Sequence, residues 1–335
     1  MKTKLRQLCA EYPLSPKWSL PEIFAESSTL LGQESEAIGL TVESATGPTA
    51  FSSAAGVRGP CVLSRAYFEL IERTSILEAW ESSRQSYRLI RCGDQAPGFL
   101  TRSQVFPDGD KDAPWAYSRS NGVAIHSDLN QAKRAALLEI LERDAVLRSW
   151  YSNRSPTPVT ASEVGVQDLD PCHGVEIRVV RFPQEIPVLG VFGFPKTENL
   201  PVFFGFAAGS DLKDTFQHAW NEALQRLIFT SEGPFPNALP DCQATPDYHL
   251  DYYLHPPSSG LIQEWLDRPA SSSVAGQTDL CSKQVQYVDL TPPHLEGRLW
   301  VLKGISDIHA PLAFGKWTPS FGERNNLPFV PHPIA

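Results

Sequence analysis

The chain has 335 residues, among them 29 prolines and eight tryptophans, and a formal net charge of -9. That length allows one large domain or two ordinary ones with an ample core, and the prolines predict many ordered connections. An acidic balance without clustered Lys and Arg excludes an evident nucleic-acid face, and no apolar run is long enough to span a membrane.

The N-terminal stretch MKTKLRQLCAEYPLSPKW is basic but lacks the apolar segment of a signal peptide. Residues 1–37 read as an N-terminal arm, with Pro13, Pro16 and Pro21 and a short helical candidate around Leu20–Leu31. The main domain then runs over 38–335. Ile38 to Glu43 alternates as a strand does. TGPTAFSSAAGVRGPC, residues 46–61, reads as a Gly-, Ser- and Ala-rich loop able to present N–H groups to an anion. It is not a P-loop, because GxxxxGK[ST] is missing. Val62–Ser82 is a helix, and Gln85–Arg91 and Gly98–Val105 are short strands. Ser118–Ala124 leads by a turn into a helix over Ala132–Ser149, with Ser127 or Asp128 as its cap.

Val175–Phe182, Pro187–Phe194 and Pro201–Phe206 are three strands in series. Gly205–Ser210 then leads into a helix over Thr215–Thr230, capped by Ser210 or Asp211. Beyond it the chain is loop-rich, with a short helix at Gly260–Asp267, a loose connection at 271–276 and a last strand at Leu299–Ile305. The proline-rich end, 326–335, either trails as a tail or lays Phe329, Val330 and Ile334 in a groove. Strands, Gly-containing turns and long helices in this order predict an α/β sandwich with an internal pseudo-repeat. The six cysteines, Cys9, Cys61, Cys92, Cys172, Cys242 and Cys281, stand in no close ligand spacing. They read as reduced thiols of a cytoplasmic protein.

One polar pattern recurs inside apolar surroundings. Tyr67-Phe68-Glu69-Leu70-Ile71-Glu72-Arg73 matches Leu137-Leu138-Glu139-Ile140-Leu141-Glu142-Arg143 position by position. A third helix keeps the frame in Asn221-Glu222-Ala223-Leu224-Gln225-Arg226. On a helix, residues three apart share a face. A single such pair is ordinarily a solvated face with a Glu139–Arg143 ion pair, but here it is repeated. Four carboxylates in apolar surroundings need positive partners. Arginines supply some; a divalent cation such as Mg2+, which takes oxygen ligands and bridges phosphates, supplies more. Paired carboxylates also serve glycoside hydrolysis, although two matched pairs with adjacent arginines fit metal and phosphate better. Among the histidines, His126 fits a hydrogen bond at the helix start, His218 lies four residues before Glu222, and His332 is a candidate acid/base group.

SNGVAIHSDLNQAKRAALLEILERDA (120–145) closely resembles the signature of YcaO-domain proteins. AYFELIER (66–73), GFAAGSDLKDTFQHAWNEALQRL (205–227) and the terminal VPHPIA are similar to three further family segments, in the same order. The resemblance implies a YcaO-like sandwich of mixed and antiparallel sheet with long helices, ATP and Mg2+ as cofactors, and phosphorylation of a peptide-bond oxygen. It implies Glu69, Glu72, Glu139 and Glu142 as metal ligands. Nucleotide contacts would come from Arg143, Glu222, Gln225 and Arg226, and from Arg65, Ser127 and Gln131, three positions that depart from the family pattern. The carboxylate of Ala335 would move protons. The implied activity is an azoline-forming cyclodehydratase subunit acting on a ribosomally made precursor peptide. Thioamide or amidine formation, or a scaffold subunit with a decayed nucleotide site, are the other branches. Implied partners are a leader-peptide-binding protein of ThiF/E1-like or similar kind and a flavin-dependent dehydrogenase, in a homodimer or hetero-oligomer.

Overall fold

The computed structural model describes residues 1–29, 34–45, 47–90, 98–107, 112–152, 155–166, 174–184, 186–196, 200–231, 235–268, 285–319, 321 and 329–334. Along the chain run α1 (Lys2–Glu11), β1 (Glu22–Ser28), β2 (Ser35–Glu43), β3 (Thr49–Val57), α2 (Pro60–Glu81), β4 (Ser86–Arg88), β5 (Phe99–Thr101), α3 (Arg102–Val105), β6 (Trp115–Tyr117), β7 (Val123–His126) and α4 (Leu129–Tyr151). There follow β8 (Thr157–Pro158), β9 (Val175–Phe182), β10 (Val188–Pro195), β11 (Phe203–Ala208), α5 (Leu212–Thr230), α6 (Pro246–Tyr252), α7 (Ser259–Leu266), β12 (Gln286–Asp289), β13 (Trp300–Ile305) and β14 (Ala313–Gly315). The chain divides into two compact units. One comprises Met1–Pro107, Arg119–Glu139 and Ser282–Asp307; the other comprises Asp108–Ser118, Ile140–Cys281 and Ile308–Ala335. The helix α4 begins in the first and ends in the second.

In the first unit β1, β2 and β3 form an antiparallel meander. Ile38, Leu40 and Val42 of β2 and Ala50 and Ala54 of β3 pack with Val62, Leu63, Ala66, Tyr67, Leu70 and Ile71 of α2. The small side chains of β3 let the helix approach, and the buried Ser52 hydroxyl donates to the Ala66 carbonyl at 2.7 Å. A second sheet runs in the order β12-β13-β7. Three expectations are corrected here. The helical candidate at Leu20–Leu31 is strand β1 over Glu22–Ser28, because seven residue pairs with β2 outweigh the weak preference of a short helix. The presumed anion-binding loop is strand β3 over Thr49–Val57, its Ser and Ala residues selected by packing under α2. Within the expected strand Gly98–Val105, only Phe99–Thr101 is extended. Thr101 and Gln104 then form a capping box that turns the chain into α3.

In the second unit the antiparallel order is β11-β10-β9-β8. β11 is buried throughout, as is β10 up to Phe194, which explains their unbroken apolar sequence. Helix α5 lies on β11, and Gly205 allows the close approach. A Cβ there would sit 2.3 Å from the Ala219 carbonyl oxygen and 2.4 Å from the Ala223 nitrogen. Each unit thus has a three-strand antiparallel meander followed by a long helix, β1-β2-β3-α2 in one and β9-β10-β11-α5 in the other. This is the expected α/β architecture with its pseudo-repeat. The loose connection expected at 271–276 lies outside the described residues. Among the described residues no helix is long and apolar enough to cross a membrane.

The Gly205 contact is testable. Gly205→Val must push α5 from the sheet and lowers the unfolding free energy by about 1–3 kcal/mol. A Cβ on Gly174 meets nothing within 4 Å, so Gly174→Ala changes it by less than about 0.5 kcal/mol. Urea denaturation of the two variants reads the difference.

Candidate functional site

The residues of interest come from α2, α4 and α5. On α2, Ala66, Tyr67, Leu70 and Ile71 are buried. Their spacing leaves Glu69 and Glu72 on the flank of the helix, where both are half-buried. Arg73 lies one turn beyond Glu69 and donates to it at 3.2 Å. Crowding works against the Arg73 charge, but Glu69, Glu72 and Glu139 together outweigh it and hold the guanidinium above its ordinary value. Its side chain nevertheless keeps 43% of its surface exposed, so water and solutes reach this group. Carboxylates of α2 and α4 therefore act on one cation. Glu142 lies one further helical step along α4, past the junction of the two units.

At the start of α4 the Asp128 carboxylate accepts from the Gln131 backbone N–H at 2.9 Å. Asp128 is thus the cap, rather than Ser127. His126 Nδ1 accepts from the Asp128 N–H at 2.8 Å, the hydrogen bond expected of it. The side chains of Ser127 and Gln131 are exposed. Arg65 is committed elsewhere: it donates to the Ala55 carbonyl on β3 at 2.5 Å, and partial burial pushes its pKa down.

In the second unit, α5 is capped by Asp211, whose carboxylate accepts from Asp214 N at 2.9 Å. Glu222 accepts from the Phe206 N–H at 2.6 Å. Arg226 stacks 3.9 Å over the Phe204 ring and donates to the Leu250 carbonyl at 3.0 Å. Its Nε is buried and has no hydrogen-bond partner among the described residues. Burial lowers the Arg226 pKa to about 9, against the attraction of Tyr253, Glu222 and Asp251. A guanidinium held in this state gains from an anion. Gln225 is half-buried one residue before it, and His218 is exposed on the same helix.

Asp144, which the sequence did not single out, is fully buried at 0% exposure. Arg148 Nε donates to it at 2.8 Å, Gln184 Nε2 at 3.1 Å and the Ala310 N–H at 2.6 Å. Its signal was readable as an i,i+4 Asp–Arg pair inside the apolar run that follows Arg143.

The proline-rich end is docked, not trailing. Pro331, His332, Pro333 and Ile334 are buried, and Ala335 lies outside the described residues. His332 Nε2 donates to the Ala313 carbonyl at 2.8 Å. Burial and the neighbouring His249 and Arg143 push its pKa well down, against the pull of the Ala313 and Ile334 carbonyls. His332 is therefore a neutral, buried ring, a poor fit to the acid/base group the sequence reading entertained.

Among known proteins, the model of the YcaO cyclodehydratase family, described as ATP- and Mg2+-binding, matches residues 97–297. The chain belongs to the YcaO family. No curated protein matches it in sequence. In fold it is similar to a YcaO protein from Methanopyrus kandleri bound with AMPPCP and Mg2+, with TM-score 0.58, 18% identity, and 90% and 89% of the two chains covered. It is similar to a heterocyclase in complex with substrate and cofactor, with TM-score 0.62 and 14% identity; 90% of this chain matches 51%, about half, of that one. It is also similar to a chain of the E. coli microcin synthetase McbBCD complex with pro-MccB17 bound, with TM-score 0.55, 13% identity, and 85% and 87% covered.

ATP and Mg2+ are the cofactors of the YcaO family. The residues present suit both. Glu69, Glu72, Glu139 and Glu142 are hard oxygen donors of the kind Mg2+ takes, and the unpartnered Nε of Arg226 is a donor for a phosphate oxygen. Among the described residues, no three His, Cys, Asp or Glu side chains already form a metal-binding group. Of these four, Glu69, Glu72 and Glu139 act on Arg73.

Two predictions follow the burial. Asp144→Ala leaves the Arg148, Gln184 and Ala310 donors facing an apolar side chain, and costs about 3–5 kcal/mol in urea denaturation. His249, buried at 1% exposure, has its pKa lowered by burial to about 4 from its ordinary 6.5. Below pH 6.5 the unfolded chain takes protons that the folded one refuses. Stability is therefore complete above that pH and falls toward pH 4, by about 1.4 kcal/mol per pH unit for each such histidine. Denaturation midpoints at pH 7 and pH 5 measure the decline.

Proposed function

We propose that this YcaO protein is an ATP- and Mg2+-dependent cyclodehydratase subunit that converts Cys, Ser or Thr residues of a ribosomally made peptide into thiazolines or oxazolines. The observation that carries the reading is the matched pair of half-buried carboxylates on each of two helices, Glu69 with Glu72 on α2 and Glu139 with Glu142 on α4, with Arg73 donating to Glu69 at 3.2 Å. Each helix thus carries hard oxygen donors of the kind Mg2+ takes. In this reading Glu69, Glu72, Glu139 and Glu142 hold Mg2+, and Arg143 and Arg226 receive the phosphates, with Gln225 beside them. Glu222 ties the middle of α5 to β11 through its bond to the Phe206 N–H. Ser127 and Gln131 are exposed toward solvent, free to meet the nucleoside. Arg65 acts indirectly, by tying α2 to β3.

When bound, ATP supplies the phosphoryl group that turns an amide oxygen into a leaving group, and Mg2+ offsets the charge that develops. The substrate's own Cys, Ser or Thr side chain attacks the preceding carbonyl carbon. The carbonyl oxygen departs as inorganic phosphate, and the peptide is one water lighter. In this reading the Ala335 carboxylate moves the proton. A neutral His332 serves to hold the C-terminal segment.

The solved heterocyclase holds a substrate, and the microcin synthetase is a complex with pro-MccB17 bound. By analogy a partner protein presents the precursor peptide here, with a flavin dehydrogenase acting after it. The three described cysteines, Cys9, Cys61 and Cys242, are free thiols, as suits a protein of the reducing cytoplasm.

The test combines protein, partner, precursor peptide and Mg-ATP and reads peptide mass. Loss of one water per modified residue supports the proposal. Exchange of oxygen for sulfur, or no ATP consumption by the complete complex, overturns it. Glu139→Ala lowers ATP turnover by ~100-fold or more, in line with the loss of a metal ligand or its support, and leaves the denaturation midpoint unchanged. A collapsed fold in that variant would make the carboxylate structural.

A further inference from the structure

A segment with prolines at 331 and 333 cannot join a sheet, because it lacks alternate N–H donors. Its carbonyls still need partners once buried. Here three successive carbonyls each receive one side-chain donor. Trp150 Nε1 donates to Val330 O at 3.4 Å, Tyr253 Oη donates to Pro331 O, and His249 Nδ1 donates to His332 O at 3.0 Å.

His249 differs from the other two. Its Nε2 accepts from the Gly315 N–H at 3.1 Å. Carbonyl oxygens only accept and backbone N–H groups only donate, so both ring nitrogens are assigned: Nδ1 carries the proton and Nε2 the lone pair. His332 answers from the other side, donating to Ala313 O at 2.8 Å. The two rings lie 4.2 Å apart between centroids, and His249 packs edge-on to Phe314 at 5.2 Å. β14 and the C-terminal segment are thereby laced through one neutral imidazole on α6. Nothing in the sequence marked His249, and the YcaO motif residues do not include it.

We propose that His249 is a positioning residue that seats the C-terminal segment, its Nδ1–H holding the His332 carbonyl while Nε2 is anchored on β14. The seating stands on these contacts alone. Its consequence for catalysis rests on the proposed role of the C-terminal carboxylate.

Two conservative variants separate the two ring nitrogens. His249→Asn keeps a donor where Nδ1 stands and loses the acceptor; His249→Gln keeps an acceptor where Nε2 stands and loses the donor. Amide hydrogen exchange of the full chain, read by mass spectrometry on the peptide covering 329–334, reports the seating directly. The expected result is exchange at least tenfold faster in His249→Gln and close to wild type in His249→Asn, with nucleotide affinity within twofold of wild type in both. Unchanged exchange in His249→Gln overturns the proposal. So does equal acceleration in both variants spread over β9, β10 and β11, which would make His249 ordinary core packing. Peptide modification is then measured in the complete complex. A tenfold lower kcat in His249→Gln at unchanged KM for ATP supports a catalytic role for the seated segment. Faster exchange with normal kcat leaves the seating in place and removes the C-terminal carboxylate from the mechanism.

Discussion

A charge taken out of bulk water must find a counter-charge or a set of hydrogen bonds, and the three long helices of this chain are organised by that demand. It is met in two ways. Asp144 is met by the protein itself, with Arg148, Gln184 and the Ala310 N–H closing its coordination. Glu69 is met by Arg73, a guanidinium that remains open to solvent. Arg226 is met least, with a buried Nε left over. Satisfied charges hold helices in place. A buried donor left over, as at Arg226, is where an anion has something to gain.

The same accounting explains the end of the chain. Buried prolines remove donors but leave carbonyls, so the segment must be held by side chains. Trp150, Tyr253 and His249 come from α4 and the α6 region to do this. His249 must stay neutral for its Nε2 to accept from the Gly315 N–H, and burial keeps it so. The stability of this arrangement is therefore tied to pH, because protonation of His249 removes the acceptor that Nε2 offers to the Gly315 N–H.

Close approach is the third recurring device. β3 carries Ala and Ser beneath α2, and β11 carries Gly205 beneath α5. Both helices sit near their sheets because side-chain volume was removed there. The consequence reaches the site. Glu222 can bond the Phe206 backbone, and Arg226 can stack on Phe204, only with α5 this close to β11.

By itself the sequence determined the long helices, the strands β2, β9, β10 and β11, the recurring Glu-x-x-Glu/Gln-Arg pattern and the family it belongs to. These are carried by local periodicity and by residue types at fixed helical spacing, which need no distant partner to be read. It misjudged Glu22–Ser28 and Thr49–Val57, where short stretches of small and mixed residues take their conformation from the strand beside them. It could offer the C-terminal segment only as a tail or as a segment docked in a groove. Tertiary structure decided that it is docked, that His332 is buried and neutral, and that Arg65 serves β3. It also brought Asp144 and His249 into view, since each draws its partners from segments distant in sequence. Whether a polar side chain is answered by the fold or left for a ligand depends on what surrounds it, and that is decided by packing rather than by the chain's local pattern.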